Sequence, residues 1–518
     1  MSDHKNIGEA IDPLPPTGLV PDGWRNVAGQ LRANAGARAD APALVCVDDG
    51  QELSWGALAD RADRIAAFLA ARGLGANDRV AVLGGNAMEW LILYYGVQRF
   101  GATFCTINVE VNVHHAREML ARMRPALVLH DPALDVAALL PAPVEWIAWD
   151  DFFARIDALP AERRRAAVNG PEDCCVISFT SGTESAPKGV LHDFCNYYAI
   201  AEHQRDRWSL TAGDRILDVR ACSWASAHML SLNPTLLVGG TLLFAREFSR
   251  SRFFGWLRDF RPTVIVAVPT VVNMLLERRA EAEAEGAFDS VRFLSCSTAP
   301  LSPDRHELFE RTYGVPLVQL YGMSEGGVVC ANRPETRRVG SVGMPGLFQD
   351  ITIRGPDGEA LPPGAPGDIE TVSAQHAHAY LHADGTIEPI RGRPLRTGDI
   401  GLIGEDGFVR ITGRAKDVII RGGVNIAPLE IDNALMACAS VAEAAVIGVP
   451  DPVWGESVCA WVALKPGAAA DEESLRAHCA AILPAAKVPA RYIIVDALPR
   501  NARGKLDRNA LRAMWEGQ

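Results

Sequence analysis

The sequence predicts an α/β protein in two parts. A large amino-terminal domain of layered sheets and helices is expected over residues 1–413, and a small carboxy-terminal α+β domain over 414–518. Three observations predict this. The 518 residues are too many for one ordinary core. Helical and strand patterns alternate up to about residue 410, which is typical of helices covering a largely parallel sheet. A shorter unit with its own strands and helices then begins, long enough for a small core.

One apolar stripe in the first part recurs at helical spacing and predicts a helix: Leu58, Ala62, Ile65 and Leu69. Short apolar runs predict buried strands of a covered sheet: residues 79–83, 174–179, 263–268, 291–295 and 315–320. The Gly- and Pro-rich stretch 358–368 predicts turns in a small β-rich region before the domain boundary. In the small unit, residues 441–449 predict a strand and 473–483 a helix. The polar run Arg-Ala-Lys-Asp at 414–417 is the predicted hinge.

Charge and composition narrow the class of protein. The formal net charge of −12 argues against nucleic acid as a partner and fits a cytoplasmic enzyme. No apolar run reaches the roughly 18 residues that span a bilayer, and the start of the chain has no signal pattern. Eleven scattered cysteines without a CxxC pair predict reduced, mostly buried thiols. The neighbours Cys174 and Cys175 are expected on opposite faces of a strand.

A loop of hydroxyls, glycines and one lysine follows the predicted strand 174–179. Its key residues are Thr180, Ser181, Gly182, Thr183 and Lys188. Small residues let backbone N–H groups approach phosphate oxygens, hydroxyls add donors, and a lysine adds a positive charge. Because Gly rather than Ser or Thr follows Lys188, this is not a Walker loop. A polar surface turn is the alternative.

These residues resemble the acyl-CoA synthetase, luciferase and peptide-synthetase adenylation superfamily, whose members carry a TSGTTGxPKG loop. Further motifs follow in the family's order, from about residue 50 to the carboxyl terminus. Two residues depart from the pattern: Glu184 stands where the family has Thr, and Ser185 where it has Gly. A carboxylate beside a triphosphate is unfavourable unless it is paired or helps to bind a metal.

Two further motifs follow predicted strands. The family's similar loop holds adenine by backbone contacts, and here it comprises Ser297, Thr298, Ala299 and Pro300. A plain turn after a strand is the alternative. The second motif resembles the family's YGxTE and comprises Tyr321, Gly322, Met323, Ser324 and Glu325. Ser324 keeps a hydroxyl for a phosphate contact, and Glu325 can ligate Mg²⁺. The alternative is a helix start, with Ser324 as N-cap and Glu325 in the first turn.

The resemblance assigns roles near the domain boundary and beyond. Asp399 would accept hydrogen bonds from ribose hydroxyls, Arg414 would contact ribose or phosphate, and Lys416 would be the pivot. Gly422 and Gly423 would line the pantetheine tunnel, where glycine lets a thin chain pass close to backbone. Lys505 would be the catalytic lysine, because it can bridge the substrate carboxylate and the α-phosphate.

The acyl pocket is expected near Trp224, His228, Gly322 and Met323. Trp224 either gates the passage between acyl pocket and tunnel or packs in a core, and His228 is more typical of a hydrogen-bonded histidine than of a catalytic one. Relatives that activate acetate carry Trp at the position of Gly322, so glycine implies an acid larger than propionate: medium-chain, cyclic or aromatic. A Gly322→Trp change is expected to shift preference toward acetate. No Asp near Trp224 is placed to hold an α-amine, which argues against an amino acid.

Two other clusters receive structural interpretations. His376, His378 and His382 could bind zinc through the first two, which share a strand face, but a surface strand is the expected context. Arg163, Arg164 and Arg165 are expected on a solvated helix face.

The resemblance implies a reaction in two halves, with ATP and Mg²⁺ as nucleotide and cofactor and a small carboxylic acid as substrate. An acyl-AMP would form first. The small domain would then rotate about Lys416, and coenzyme A would take the acyl group. Coenzyme A is the expected acceptor because the chain ends 13 residues after Lys505, without room for a carrier domain. Three alternatives stay open: loading of a separate carrier protein, oxidative luciferase-like use of the adenylate, and a non-catalytic nucleotide-binding relative. A homodimer is left open as well.

Overall fold

A computed structural model describes residues 18–107, 113–137, 139, 144–159, 166–179, 188–277, 286–422, 424–500 and 506–516. The strands in chain order are β1 (Pro42–Cys46), β2 (Glu52–Ser54), β3 (Arg79–Leu83), β4 (Thr103–Ile107), β5 (Leu127–His130), β6 (Glu145–Ala148), β7 (Cys174–Phe179), β8 (Gly189–Asp193), β9 (Arg215–Asp218), β10 (Thr241–Phe244), β11 (Val264–Ala267), β12 (Phe293–Cys296), β13 (Leu317–Met323), β14 (Gly327–Ala331), β15 (Met344–Pro345), β16 (Gln349–Arg354), β17 (Gly367–Ser373), β18 (Ala379–Leu381), β19 (Ile387–Pro389), β20 (Leu395–Ile403), β21 (Val409–Arg414), β22 (Ile419–Arg421), β23 (Val424–Ile426), β24 (Val441–Asp451), β25 (Gly455–Leu464) and β26 (Arg491–Val495).

The α-helices are α1 (Val27–Arg38), α2 (Trp55–Ala71), α3 (Met88–Phe100), α4 (Val113–Met123), α5 (Trp149–Asp157), α6 (Phe194–Trp208), α7 (Ala225–Ala227), α8 (Asn233–Val238), α9 (Phe253–Phe260), α10 (Pro269–Glu277), α11 (Pro303–Tyr313), α12 (Pro428–Met436), α13 (Glu472–Ile482) and α14 (Arg508–Glu516). A π-helical turn covers His228–Leu232, and single 3₁₀ turns cover Ala415–Asp417 and Ala485–Lys487.

Two large sheets form the amino-terminal domain. One runs in the order β15-β14-β13-β12-β11-β9-β10-β1-β2, and the other β19-β18-β8-β7-β4-β3-β5-β6. The first is parallel in the middle and antiparallel at both ends. The second is antiparallel from β19 to β7 and parallel from β7 to β6. The largest hydrophobic cluster joins side chains of both sheets with α2 and α3, so those helices are buried between layers. The predicted α/β architecture with a largely parallel sheet is confirmed.

Smaller sheets follow. An antiparallel sheet, β16-β17-β20-β21, completes the large domain, and the predicted turns at 358–368 connect β16 to β17. The small domain has β23-β22-β25-β24 with β26 beside β25, and α12, α13 and α14 accompany this sheet. Hydrophobic clusters lie on both of its faces, so the small domain has a core of its own.

Local patterns explain why the predicted elements form where they do. The four residues of the helical stripe are all buried in α2, whose N-cap Ser54 accepts a hydrogen bond from the Ala57 N–H. The run 79–83 is β3, and the other runs coincide with β7, β11, β12 and β13 to within a few residues. In the small domain, Asp471 and Ser474 form a capping box at the start of α13.

The cysteines fit their prediction. All eleven are free, and all but Cys438 are buried. Cys175 joins the cluster between the two large sheets, whereas Cys174 joins the cluster on the opposite face of its sheet. Burial raises the pKa of both thiols, which keeps them protonated and unreactive. Across the described ranges, no helix combines the length and apolar character that crossing a bilayer requires.

Candidate active site

The YGMSE motif lies in a β-hairpin. Tyr321, Gly322 and Met323 end β13, Ser324 and Glu325 form the turn, and β14 returns antiparallel. The alternative of a helix N-cap at Ser324 is wrong, because the chain pairs back on itself instead of starting a helix. Short sequence signals for a cap and for a turn both use Ser and Glu, so only the strand pairing distinguishes them.

Gly322 is required by this hairpin. A Cβ atom here would lie 2.4 Å from the carbonyl oxygen of Gly327 on the facing strand. The pairing also shifts register between Tyr321 and Gly322, which brings the two backbones together. A side chain at this position would therefore have to displace the facing backbone. That Gly322 forms an open pocket floor stays a prediction.

Asp399 connects three elements at one point. Its carboxylate accepts a hydrogen bond from the Tyr321 hydroxyl at 2.6 Å and pairs with the Arg414 Nε at 3.1 Å. Asp399 and Arg414 face each other directly across β20 and β21, and Tyr321 comes from β13. Burial, together with the neighbouring carboxylate, raises the pKa of Tyr321 and keeps its hydroxyl a donor. A carboxylate has further lone pairs, so Asp399 can also accept from hydroxyls of a ligand.

Lys188 and Glu325 face the same region from two sheets. Lys188 precedes β8, and its Nζ lies 5.3 Å from the ring centre of Tyr380. Burial raises the pKa of Glu325, and the positive charge of Lys188 acts in the opposite direction. The Ala377 N–H donates to the Glu325 carbonyl oxygen at 2.8 Å, which fixes the turn against the chain before β18.

The predicted adenine segment follows β12. Ser297 is buried, whereas Ala299 and Pro300 are exposed. Thr298 has a φ of 74°, a left-handed conformation that is uncommon for a threonine. Such strained backbone persists where surrounding structure enforces it, often at binding sites. This segment is therefore more than a relaxed surface turn.

Trp224 lies on the loop between β9 and α7. It is partly exposed and is absent from every hydrophobic cluster of the described residues, so the alternative of a core tryptophan is wrong. A buried ion pair holds this loop. Arg220 donates to both oxygens of Asp218, at 2.9 and 2.6 Å, and to the Ser226 hydroxyl at 3.2 Å.

His228 begins the π-helical turn and is fully buried. Its Nε2 lies 2.9 Å from the Cys222 carbonyl oxygen, so Nε2 must carry the proton, and Nδ1 then accepts from the Tyr197 hydroxyl at 3.1 Å. Burial lowers the pKa of His228 to about 3. The expectation of a hydrogen-bonded histidine is confirmed. Both ring nitrogens are thus engaged within the protein. That the ring borders the substrate pocket stays a prediction.

The three histidines at 376–382 do not form a surface strand. His376 lies in a bend, and His378 precedes β18; both are buried. His378 pairs with Asp193 at 2.8 Å, and His382, after β18, pairs with Glu388 at 2.8 Å. The surface expectation is wrong, because Asp193 lies far along the sequence and its pairing is invisible in it. Nowhere in the described ranges do three or more His, Cys, Asp or Glu side chains gather as a metal site.

At the predicted hinge, Lys416 lies in the 3₁₀ turn Ala415–Asp417 between β21 and β22. Asp417 pairs with Arg512 of α14 at 3.0 Å. Gly422 has a φ of 58°, and a Cβ there would meet the ring of Trp454 at 2.6 Å. This glycine is therefore required by the turn and by a packed tryptophan as well.

Comparison with known proteins decides the family. The model of the AMP-binding enzyme family matches residues 31–381, and that of the AMP-binding enzyme C-terminal domain matches residues 430–505. The chain belongs to the AMP-binding enzyme family. The resemblance inferred from the motifs is confirmed, and so is a large domain followed by a distinct carboxy-terminal one.

Relatives of this AMP-binding enzyme are acid–CoA ligases. A sulfoacetate–CoA ligase of Cupriavidus necator is 32% identical over 94% of this chain and 97% of the relative. A feruloyl-CoA synthase of a Streptomyces species is 31% identical, covering 89% of this chain and 94% of the relative. An indoleacetate–CoA ligase of Aromatoleum aromaticum is 30% identical, covering 90% and 93%. The enzyme class is that of AMP-forming acid–CoA ligases, as the sequence predicted.

Solved structures agree with this AMP-binding enzyme in fold. ATP-bound MatB from Rhodopseudomonas palustris has a TM-score of 0.83 at 29% identity, covering 95% of this chain and 99% of that one. O-succinylbenzoate coenzyme A synthetase from Bacillus subtilis, in complex with ATP and a magnesium ion, has a TM-score of 0.80 at 26% identity, covering 93% and 98%.

Several predicted site residues of this AMP-binding enzyme lie outside the described residues: Thr180, Ser181, Gly182, Thr183, Glu184, Ser185, Gly423 and Lys505, and also Arg163, Arg164 and Arg165. Their roles stay predictions. Sequence reasoning missed Asp218, Arg220, Asp193, Arg391 and Tyr380. The signal available was a charged residue at the end of an apolar strand, as with Asp218 at the end of β9 and Asp193 at the end of β8.

Proposed function

We propose that this enzyme converts a carboxylic acid, ATP and coenzyme A to acyl-CoA, AMP and diphosphate through an acyl-AMP. The observation that carries the proposal is the meeting of Tyr321, Asp399 and Arg414 beside the hairpin that holds Glu325. A ribose needs hydroxyl acceptors, and Asp399 supplies them on a rigid pair of strands. A triphosphate needs positive charge and a metal ligand, and Lys188 and Glu325 lie where two sheets meet.

The residues present fit a magnesium ion shared with phosphates. Mg²⁺ takes few protein ligands and is usually held by one or two carboxylates together with substrate phosphates and water. Glu325 offers one such carboxylate, and its raised pKa reflects a burial penalty that a nearby cation would offset. Bound there, Mg²⁺ would supply charge neutralisation for the phosphates.

The remaining roles complete the proposed site. Thr298 and its neighbours would border the adenine, and the hydroxyl of Ser324 would contact a phosphate. The phosphate loop ahead of Lys188 and the catalytic Lys505 are proposed from the motifs alone. We place the domain boundary at 413/414 with Lys416 as the pivot, and the passage for coenzyme A beside Trp224, Gly422 and Gly423. Rotation of a small domain between half-reactions is the kind of motion that can limit turnover.

The acid is proposed to be larger than propionate. Besides the glycine at position 322, support comes from the relatives named above for ferulate and indoleacetate, two aromatic acids. Sulfoacetate, for which another relative is named, is by contrast a small acid with two negative charges. The sequence has no Asp beside Trp224 that could hold an α-amine, so we rank amino acids last among the candidate substrates. A cytoplasmic location stays a prediction, and so does the absence of a nucleic acid partner.

The experiment is pyrophosphate release across a panel of aromatic, medium-chain, dianionic and amino acids, with and without coenzyme A. We expect one class to release pyrophosphate and to yield a thioester when coenzyme A is present. Release without thioester would indicate transfer to a carrier protein. Binding of ATP with no release for any acid would overturn the proposal.

Lys505 separates the two half-reactions. We expect Lys505→Ala to abolish adenylation while supplied acyl-AMP is still converted to acyl-CoA, because the lysine neutralises charge only where two anions meet. The readouts are pyrophosphate release and thioester formation from synthetic acyl-AMP. Equal loss of both would contradict the assignment.

A further inference from the structure

The segment around β18 has a buried polar support that the proposed reaction does not use. Asp193 accepts from His378 at 2.8 Å and pairs with Arg391, whose guanidinium also donates to the Leu19 carbonyl oxygen. Asp193 also accepts the Asn196 N–H at 2.6 Å as the N-cap of α6. All three charged or ionisable side chains are almost fully buried. Breaking one partner of such a pair is costly, so this support is stiff.

The support holds β18 tightly against β8. Leu381, Tyr380 and Ala379 pair in antiparallel register with Gly189, Val190 and Leu191. A Cβ on Gly189 would lie 2.9 Å from the Cβ of Leu381, so glycine is needed for this approach. Gly189 follows Lys188 directly. The position of the lysine backbone is therefore set by strand pairing with β18.

Tyr380, in β18, contacts the side chain of this lysine directly. Its ring centre lies 5.3 Å from the Lys188 Nζ, within the range of a cation–π contact. On its buried side the ring packs against Val190, Ala377 and Ile390. The negative charge of Glu325 reaches the Tyr380 hydroxyl and Lys188 alike, which puts all three groups in one neighbourhood.

We propose that Tyr380 is a positioning residue whose ring face holds the Lys188 ammonium toward Glu325 before nucleotide binds. The inference rests on the proposed function, in which Lys188 contacts the phosphates of ATP. A lysine side chain has four rotatable bonds, and Lys188 is exposed, so without the ring its ammonium would sample many positions. If the ammonium is already ordered before ATP binds, less conformational freedom of the side chain is lost on binding.

The test compares Tyr380→Leu, which removes the ring, with Tyr380→Phe, which keeps the ring and removes the hydroxyl. Dissociation constants for MgATP are measured by calorimetry on the full chain. We expect Tyr380→Leu to weaken binding roughly three- to tenfold, the size of one cation–π contact. Tyr380→Phe should stay within about twofold of wild type, since the ring is what the cation contacts. Equal losses in both variants would overturn the inference.

A double-mutant cycle excludes a general structural effect. In a Lys188→Gln background, Tyr380→Leu should add less than about twofold, because the ring then has no cation to hold. An undiminished effect in that background would overturn the inference even if Tyr380→Leu is partly destabilised. Val168→Ala, at an exposed site away from Tyr380 and Lys188, is the control for surface changes. Wild-type chain that binds no MgATP would overturn the proposed function together with the inference, whereas normal wild-type binding with unchanged variants would overturn the inference alone.

Discussion

Glu325 shows how one side chain depends on its surroundings. Its carboxyl is desolvated within a tight hairpin turn, which raises its pKa, so it takes up a proton at higher pH than an ordinary glutamate. Activity that needs the ionised form should therefore fall early on the acid side. A bound cation favours the ionised form, and we expect saturating Mg²⁺ to extend activity to lower pH. The acid limb of pyrophosphate release, measured at limiting and saturating Mg²⁺, checks this.

Replacing Glu325 by glutamine keeps its shape and removes its charge. We expect Glu325→Gln to lower pyrophosphate release by roughly 100-fold or more, the scale of losing one charge-stabilising group. Folding should be preserved, since burial penalises the charged form. The readouts are initial rates at saturating Mg²⁺ and the urea midpoint. Unchanged rates would remove Glu325 from the metal site.

Gly322 leads to a third prediction about a single residue. A Cβ at this position meets backbone, whereas a Cβ on Gly326 meets the flexible Met323 side chain at 3.0 Å. We expect Gly322→Ala to lower activity with every acid by a similar factor, since the hairpin carrying Glu325 is displaced. Gly326→Ala is the matched control and should be milder. The measurement is the ratio of kcat/KM between variant and wild type for each acid of the panel. A selective shift toward acetate would support the interpretation of Gly322 as the pocket floor.

At the scale of helices and strands, the predictable elements were those determined by short-range sequence patterns. The helical stripe of α2 and the apolar runs of β3 and β7 depend on neighbours within a few residues, and they occur where expected. The YGMSE hairpin could not be distinguished from a helix start, because that choice is made by pairing with β14. The burial of His378 was equally hidden, since its partner Asp193 comes from another strand 185 residues earlier.

The hinge turn and the last helix are connected elements. Asp417 of the 3₁₀ turn pairs with Arg512 of α14, and the same helix contributes Arg508 to the buried Asp432. The chain flanking residues 501–505 is closed by a bridge between Arg500 and Leu506, just ahead of α14. The turn at 415–417 is thus joined to α14, and we expect the two to move together.

Removing the Asp417–Arg512 pair tests that connection. Arg512→Gln should cost little stability, roughly 0.5 kcal/mol, because the arginine is about a third exposed. We nevertheless expect a several-fold lower kcat for the complete reaction, with KM for ATP nearly unchanged. Arg155→Gln, which breaks an exposed pair with Glu145 in the large domain, is the control. Equal kinetics in the two variants would show that the hinge does not depend on α14.

Over the whole molecule, buried histidines contribute to the loss of stability in acid. Burial lowers the pKa of His192, His203 and His228 to about 3 each. The pKa of a histidine in the unfolded chain is near 6.5. Between about pH 3 and pH 6.5 the unfolded chain therefore binds more protons than the folded chain, and the free energy of unfolding falls as the pH is lowered. Each ring accounts for about 2 kcal/mol between pH 7 and pH 5.

We expect His228→Gln to flatten this acid dependence. The variant should be less stable at pH 7, yet lose about 2 kcal/mol less than wild type on going to pH 5, since one titrating ring is gone. Urea unfolding followed by tryptophan fluorescence at both pH values provides the measurement. His382→Gln, at a partly exposed site, leaves the three buried rings in place and is the control. Parallel losses in His228→Gln and wild type would contradict the assignment.

The ion pair between Asp399 and Arg414 lies beside the proposed pivot. Arg414 is the last residue of β21, and the turn around Lys416 begins with the next residue. If the small domain rotates about this turn, as proposed, a ligand that competes with Arg414 for the Asp399 carboxylate acts close to the axis, where a small rotation becomes a large displacement at the far edge of the domain. By thermodynamic reciprocity, the orientation of that domain must in turn change how tightly the ligand is held. Ligand occupancy at Asp399 and the orientation of the small domain would then report the same equilibrium.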